Sequence, residues 1–161
     1  MASELESSTF ALCTSTVNTS LEIAFRRSHF TTMTNTTAFR KTVYLTIQST
    51  LDYEECAQEL LKLDLSDDQI PELCDVIFTG CARQPIFNHF FSRLAQIFCT
   101  LNHRYVQCFK DIFKHCFEHI DCFEAYHLGN ISRFFAHLLH SDAIPWTVLA
   151  HIRLNGQDTS S

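Results

Sequence analysis

The string His115-Cys116-Phe117-Glu118-His119 fits H-x-x-E-H, the inverted form of the zinc-protease pattern. On a helix, His115 and His119 fall one turn apart on the same face. Both imidazoles could then bind one zinc ion while the carboxylate activates water. That chemistry needs a third ligand, and the only Glu downstream is Glu124, on the adjoining turn. A second grouping, Cys116, His119, Cys122 and His127, has spacings compatible with a Cys/His zinc site. Cys116 falls on an apolar stripe, however, and no C-x-x-C pair anchors the set. Phe113, Cys116, Phe117 and Ile120 mark the inward side of this helix, which sends His115, Glu118 and His119 toward water. No G-x-G-x-x-G, P-loop or G-x-S-x-G occurs. The expectation is a chain that is not an enzyme, with no catalytic residue, metal or cofactor.

The elements that must carry these residues are helices. With three Gly and three Pro in 161 residues, the chain has few turn formers, as a helical fold with short connections requires. Apolar spacing of three and four predicts a first helix over Ala38–Thr50, with Phe39, Val43, Ile47 and Leu51 inward. Asp52 is a natural N-cap for the second, with Tyr53, Cys56, Ala57, Leu60 and Leu61 on its stripe. Ser66 and Gln69 form a capping-box pattern before the third, which carries Ile70, Leu73, Cys74, Ile77, Phe78 and Cys81.

A fourth helix is predicted from Pro85 to Leu101, with Phe87, Phe90, Phe91, Leu94, Phe98 and Leu101 inward. Asn102 caps a fifth bearing Val106, Phe109, Phe113, Phe117 and Ile120, and a sixth runs from Glu124 to His140. Asp142 opens a seventh, with Pro145, Trp146, Leu149 and Ile152. About seven amphipathic helices joined by short turns give an all-α fold of stacked antiparallel helical hairpins, HEAT-like in architecture. Residues 1–36 read as a Ser/Thr-rich leader or linker, residues 37–155 as the helical domain and residues 156–161 as a frayed tail.

The net charge is −6 and no long basic run occurs, so direct nucleic-acid binding is not expected. No apolar stretch reaches membrane-span length. The N-terminus lacks the basic-then-apolar order of a signal peptide. The eight cysteines read as reduced core thiols, which implies a reducing compartment. The glycosylation-type triplets at Asn18, Asn35 and Asn130 carry little weight without a secretory signal.

Two segments go further. Residues 40–63 read RKTVYLTIQSTLDYEECAQELLKL, and residues 134–149 read FFAHLLHSDAIPWTVL. Both resemble the C-terminal helical domain of the nucampholin-family pre-mRNA splicing factors. That domain is of the MA-three type, also found in translation-initiation scaffolds and programmed-cell-death translation inhibitors. The segment Cys81–Cys99, ending in RLAQIFC, is similar to the same pattern. The resemblance covers about residues 33–155. It implies a non-enzymatic adaptor contacting spliceosomal, U5-associated proteins in the nucleus, with the cytoplasm as a second expected location. The alternative is a translation-control module binding a DEAD-box helicase.

Asp121, Cys122, His127 and Gly129 stand where that family carries His, Arg, Lys and Arg, and Ile97 replaces another Arg. The resemblance thus implies a thinned basic surface. The family continues past the position of Ser161 with a further amphipathic helix. The chain therefore reads as a truncated, diverged paralogue, a regulator competing with the full-length factor.

The candidate contact residues lie at the last corner. Ser141 and Asp142 are expected to cap the seventh helix, with Pro145 in its first turn and Trp146 as an anchor. Leu149 and Ile152 are expected to form a partly uncovered apolar face, suited to a partner or to self-association.

Overall fold

The computed structural model describes residues 33–152. Residues 1–32 of the expected leader, the tail over 156–161 and the triplet at Asn18 lie outside them, whereas residues 33–36, also expected in the leader, belong to the first helix. The described residues form six α-helices: α1 (Met33–Ser49), α2 (Tyr53–Leu61), α3 (Ile70–Ala82), α4 (His89–Leu101), α5 (His103–Glu118) and α6 (Ala125–His140). Short 3-10 turns lie before α3 and after α5, and a longer 3-10 helix follows α6.

Capping decides where the helices begin. The Asp52 carboxylate accepts from the Glu54 and Glu55 backbone N–H groups at 3.1 Å and starts α2. Asn102 starts α5 in the same way, accepting from Arg104 at 2.9 Å. The Ser66 N–H donates to Gln69 Oε1 at 3.1 Å just ahead of α3. Helix α4 starts at His89 rather than at Pro85, because Asn88 caps it by accepting from the Phe90 N–H at 3.0 Å.

Helix α3 lies at the centre and packs against α1, α4, α5 and α6. Its exposed face is almost nil: Ile70, Leu73, Cys74, Val76, Ile77, Phe78, Cys81 and Ala82 are all buried. A helix apolar nearly all round must be surrounded. Phe134 of α6 meets Phe78 of α3 edge-on at 5.6 Å and Phe109 of α5 at 5.8 Å. Phe113 meets Phe135 at 5.0 Å but, like Phe117, stays only half-buried.

Four residues expected inward are exposed instead. Leu51, Leu61, Leu101 and Ile120 each stand at the last position of an apolar spacing, where the helix has ended or is ending. Leu51 is 99% exposed because α1 stops at Ser49.

Polar ties complete the packing. The Arg40 guanidinium on α1 reaches Glu72 at 2.7 Å and Asp75 at 2.5 Å on α3. The Asn130 amide of α6 donates to the Gln84 carbonyl at 2.6 Å, just past the end of α3. Seven free cysteines lie among the described residues. Cys56, Cys74, Cys81, Cys99 and Cys116 are buried, Cys108 is half-buried and Cys122 is exposed.

The two glycines in helices have opposite roles. A Cβ on Gly80 would come within 2.6 Å of the Phe91 ring, so glycine lets α3 and α4 close on each other. A Cβ on Gly129 meets nothing within 4 Å. Gly80→Ala should therefore destabilise by about 1–3 kcal/mol through overpacking against a buried ring. Gly129→Ala should stabilise by about 1 kcal/mol from helix propensity. Chemical melts that rank the two variants the other way round would contradict this packing.

Candidate protein-binding site

The corner after α6 is made by the way that helix ends. The Ala143 N–H donates to the Leu138 carbonyl at 2.9 Å, and the Asp142 N–H to the Leu139 carbonyl at 3.2 Å. These are the two bonds of a Schellman closure, which needs a left-handed residue just past the C-cap. Asp142 supplies it with φ 54°. Ser141 is the C-cap of α6, and its hydroxyl donates back to the Leu138 carbonyl at 3.3 Å.

The expectation that Ser141 and Asp142 cap a following helix is therefore corrected. An N-cap sits in extended backbone, whereas Asp142 is left-handed and closes the preceding helix. Asp is one of the few residues besides Gly that tolerate this conformation. Asp142→Gly removes the Cβ cost and should raise stability by about 0.5–1 kcal/mol in a urea melt. A loss instead would mean that the carboxylate makes a stabilising contact of its own.

The chain then turns on Ile144, which is fully buried. Pro145 caps a 3-10 helix, Trp146–His151, in place of the expected seventh α-helix. The Val148 N–H donates to the Pro145 carbonyl at 3.1 Å and the Ile152 N–H to the Leu149 carbonyl at 3.0 Å. With three residues per turn, side chains three apart eclipse. Trp146, Leu149 and Ile152 thus fall along one edge. Leu149 packs half-buried against the core, Ile152 is half-buried, and Trp146 at the start of the edge is 58% exposed. Pro145 and Asp142 are exposed beside it.

The element is held against α5, with Val148 buried. Ile144 and Val148 are the anchors that the sequence reading missed. Their only signal was that they are apolar and flank the Pro145-Trp146 pair.

The candidate metal ligands are not gathered into a site. Among the described residues, no group of three or more His, Cys, Asp or Glu is placed to hold a metal ion. His115 and His119 stack ring on ring at 4.3 Å, half-buried rather than fully turned to water. Burial, and then the neighbouring charge of His119, holds the His115 imidazole below its ordinary pKa. Cys116 is in the core, where burial pushes its thiol pKa up, while Cys122 is exposed. His127 is buried within α6, and burial lowers its pKa.

The MA3 domain family matches residues 39–145, from α1 to the proline of the corner. This chain belongs to the MA3 domain family. The MA3 fold here resembles the pre-mRNA-splicing factor CWC22 homolog of Xenopus laevis, with 45% identity over 133 residues, 83% of this chain and 17% of that protein. The Drosophila melanogaster CWC22 homolog is 47% identical over 130 residues, 81% of this chain and 10% of that protein. The male determiner protein Mdmd(Y) of Musca domestica is 44% identical over 123 residues, 76% of this chain and 10% of that protein. The chain thus spans under a fifth of the length of these relatives.

Proposed function

We propose that this MA3 domain is a non-enzymatic protein-binding adaptor of the splicing-factor type. It acts in the nucleus on U5-associated spliceosomal proteins, with the Ser141–Ile152 corner as its contact. The observation that carries this reading is the match to splicing factors across more than four fifths of the chain. The corner is chosen because Trp146 is the one Trp of the sequence and stands exposed on a segment anchored by two buried residues. A preorganised aromatic side chain loses little freedom on binding, which makes it a favoured anchor. The 44% identity to a male determiner favours a regulatory paralogue, since one relative of this domain bears a name other than that of a splicing factor.

The test is affinity capture from nuclear extract with the unmodified chain and with Trp146→Ala. Recovery of U5-associated spliceosomal proteins is expected, with about a tenfold or greater loss for the variant and an unchanged helical circular-dichroism spectrum. Recovery of translation-initiation factors alone would move the domain to a translation-control role with a DEAD-box helicase. Equal recovery with both proteins would remove Trp146 from the contact. If the partner is a second copy docking along Leu149 and Ile152, the chain will sediment as a dimer at high concentration.

A further inference from the structure

We propose that the seam between α4 and α6 is a second docking surface, one that takes an acidic segment of a partner protein on Arg93 and Arg133. The first observation is a separation of charge. Nine of the eighteen carboxylates fall between Asp52 and Asp75. Helices α4 and α6, which pack against each other, contain no Asp or Glu at all. A chain of net charge −6 thus has one pair of packed helices whose charged side chains are Arg and whose other basic side chains are His.

The geometry joins these side chains into one strip. His137 Nε2 of α6 lies 2.9 Å from Gln96 Oε1 of α4 and ties the helices together. The His89 ring is 6.4 Å from the His137 ring, and the Phe87 ring is 4.8 Å from that of His89. The Arg133 guanidinium lies 6.0 Å over the Phe87 ring. At the other side, the Arg93 guanidinium lies 5.5 Å over the Tyr53 ring of α2 and donates to its hydroxyl at 3.4 Å. Burial, and then the charges of Arg93, His89 and His140, hold His137 below its ordinary pKa, as expected within a cationic strip.

Both arginines are exposed, and among the described residues neither pairs with a carboxylate. Arg40, Lys62, Arg104 and Lys114 each do. An aromatic ring under each guanidinium holds its plane and leaves donors for a bidentate carboxylate pair. An acidic peptide fits this strip better than nucleic acid does. Two arginines cannot neutralise a run of phosphates, whereas two carboxylates would satisfy both forks. The inference rests on charge and geometry at this seam and does not depend on the corner at Trp146.

The test uses the full chain and fluorescence anisotropy with three labelled probes: a Glu/Asp-rich peptide, an uncharged peptide of equal length and a single-stranded RNA. Only the acidic peptide should bind, and rising salt should weaken it. Arg93→Gln with Arg133→Gln should weaken it by about tenfold or more, and the conservative Arg133→Lys by less. Lys114→Gln on α5 should leave it unchanged. Glutamine keeps part of each stem at an exposed position, and circular dichroism reports whether the helices persist. If the double variant unfolds, the Arg133→Lys and salt results decide alone. Tighter binding to the RNA, no binding of the acidic peptide, or binding indifferent to the arginine changes would overturn the proposal.

Discussion

Phe134→Ala should destabilise the domain by about 3–5 kcal/mol, the range for emptying a fully buried aromatic site. Phe134 has no exposed surface and joins three helices through its ring. It meets Phe78 at 5.6 Å, Phe109 at 5.8 Å and Phe135 at 5.3 Å. Truncation removes all three ring pairs and leaves a cavity in rigid surroundings. Phe113, which sequence spacing places on the inward face of α5 with Phe109, is half-buried and touches one of these rings. Its loss should cost less, about 1–3 kcal/mol. Urea melts of the two variants read the difference directly. Equal costs would mean that the core is not centred on Phe134.

Arg40→Met should cost about 2–3 kcal/mol near neutral pH, and the cost should shrink on acidification. Breaking a buried pair costs more when the remaining charge cannot reach water; the figure is reduced here because the Arg40 side chain is 36% exposed. Its partner Asp75 is buried, and one carboxylate oxygen, Oδ1, has no hydrogen-bond partner among the described residues. Burial raises the Asp75 pKa, and Arg40 pulls it partly back down. Without Arg40 that pKa must rise further.

A carboxyl whose folded pKa lies above its unfolded value favours folding when protonated. This contribution is complete below the unfolded pKa and lost as pH rises through the folded one. The gap between variant and parent should therefore be widest near pH 7 and narrow as pH falls through the raised Asp75 pKa. Adding Asp75→Asn to Arg40→Met should recover part of the stability. A gap that stays constant with pH would place the cost elsewhere, in lost packing of the arginine stem.

The helices were legible because their signals are local. Asp52 and Asn102 each precede an apolar period and need only the next two or three residues to act. The family was legible for a different reason, in that ordered motifs persist from α1 to the last corner. What was not legible depends on distant residues or on backbone conformation. Asn130 and His127 look like surface residues until α6 is laid against the end of α3; the Asn130 partner, Gln84, is 46 residues away.

Asp142 carried the opposite ambiguity. Short acidic side chains favour helix starts but also tolerate the left-handed turn that ends one, and composition alone does not separate the two. At Leu51 the spacing of apolar residues outran the helix itself, and at Leu101 it reached the helix's last residue. A period of four says where a stripe points, not where hydrogen bonding stops. Trp146 was picked out by type, but its exposure follows from the 3-10 turn that Pro145 begins.

The distribution of thiols gives this protein a covalent record of its own opening. Cys56 lies in α2, Cys74 and Cys81 in α3, Cys99 in α4 and Cys116 in α5, all of them buried. Burial pushes Cys81 and Cys99 up to about 12, so in the closed state they hold almost no reactive thiolate. A brief pulse of alkylating reagent should tag Cys122 at once and each interior sulfur only when its helix lifts away. Mass analysis of the tagged peptides would then order the helices by how often each opens away from its neighbours.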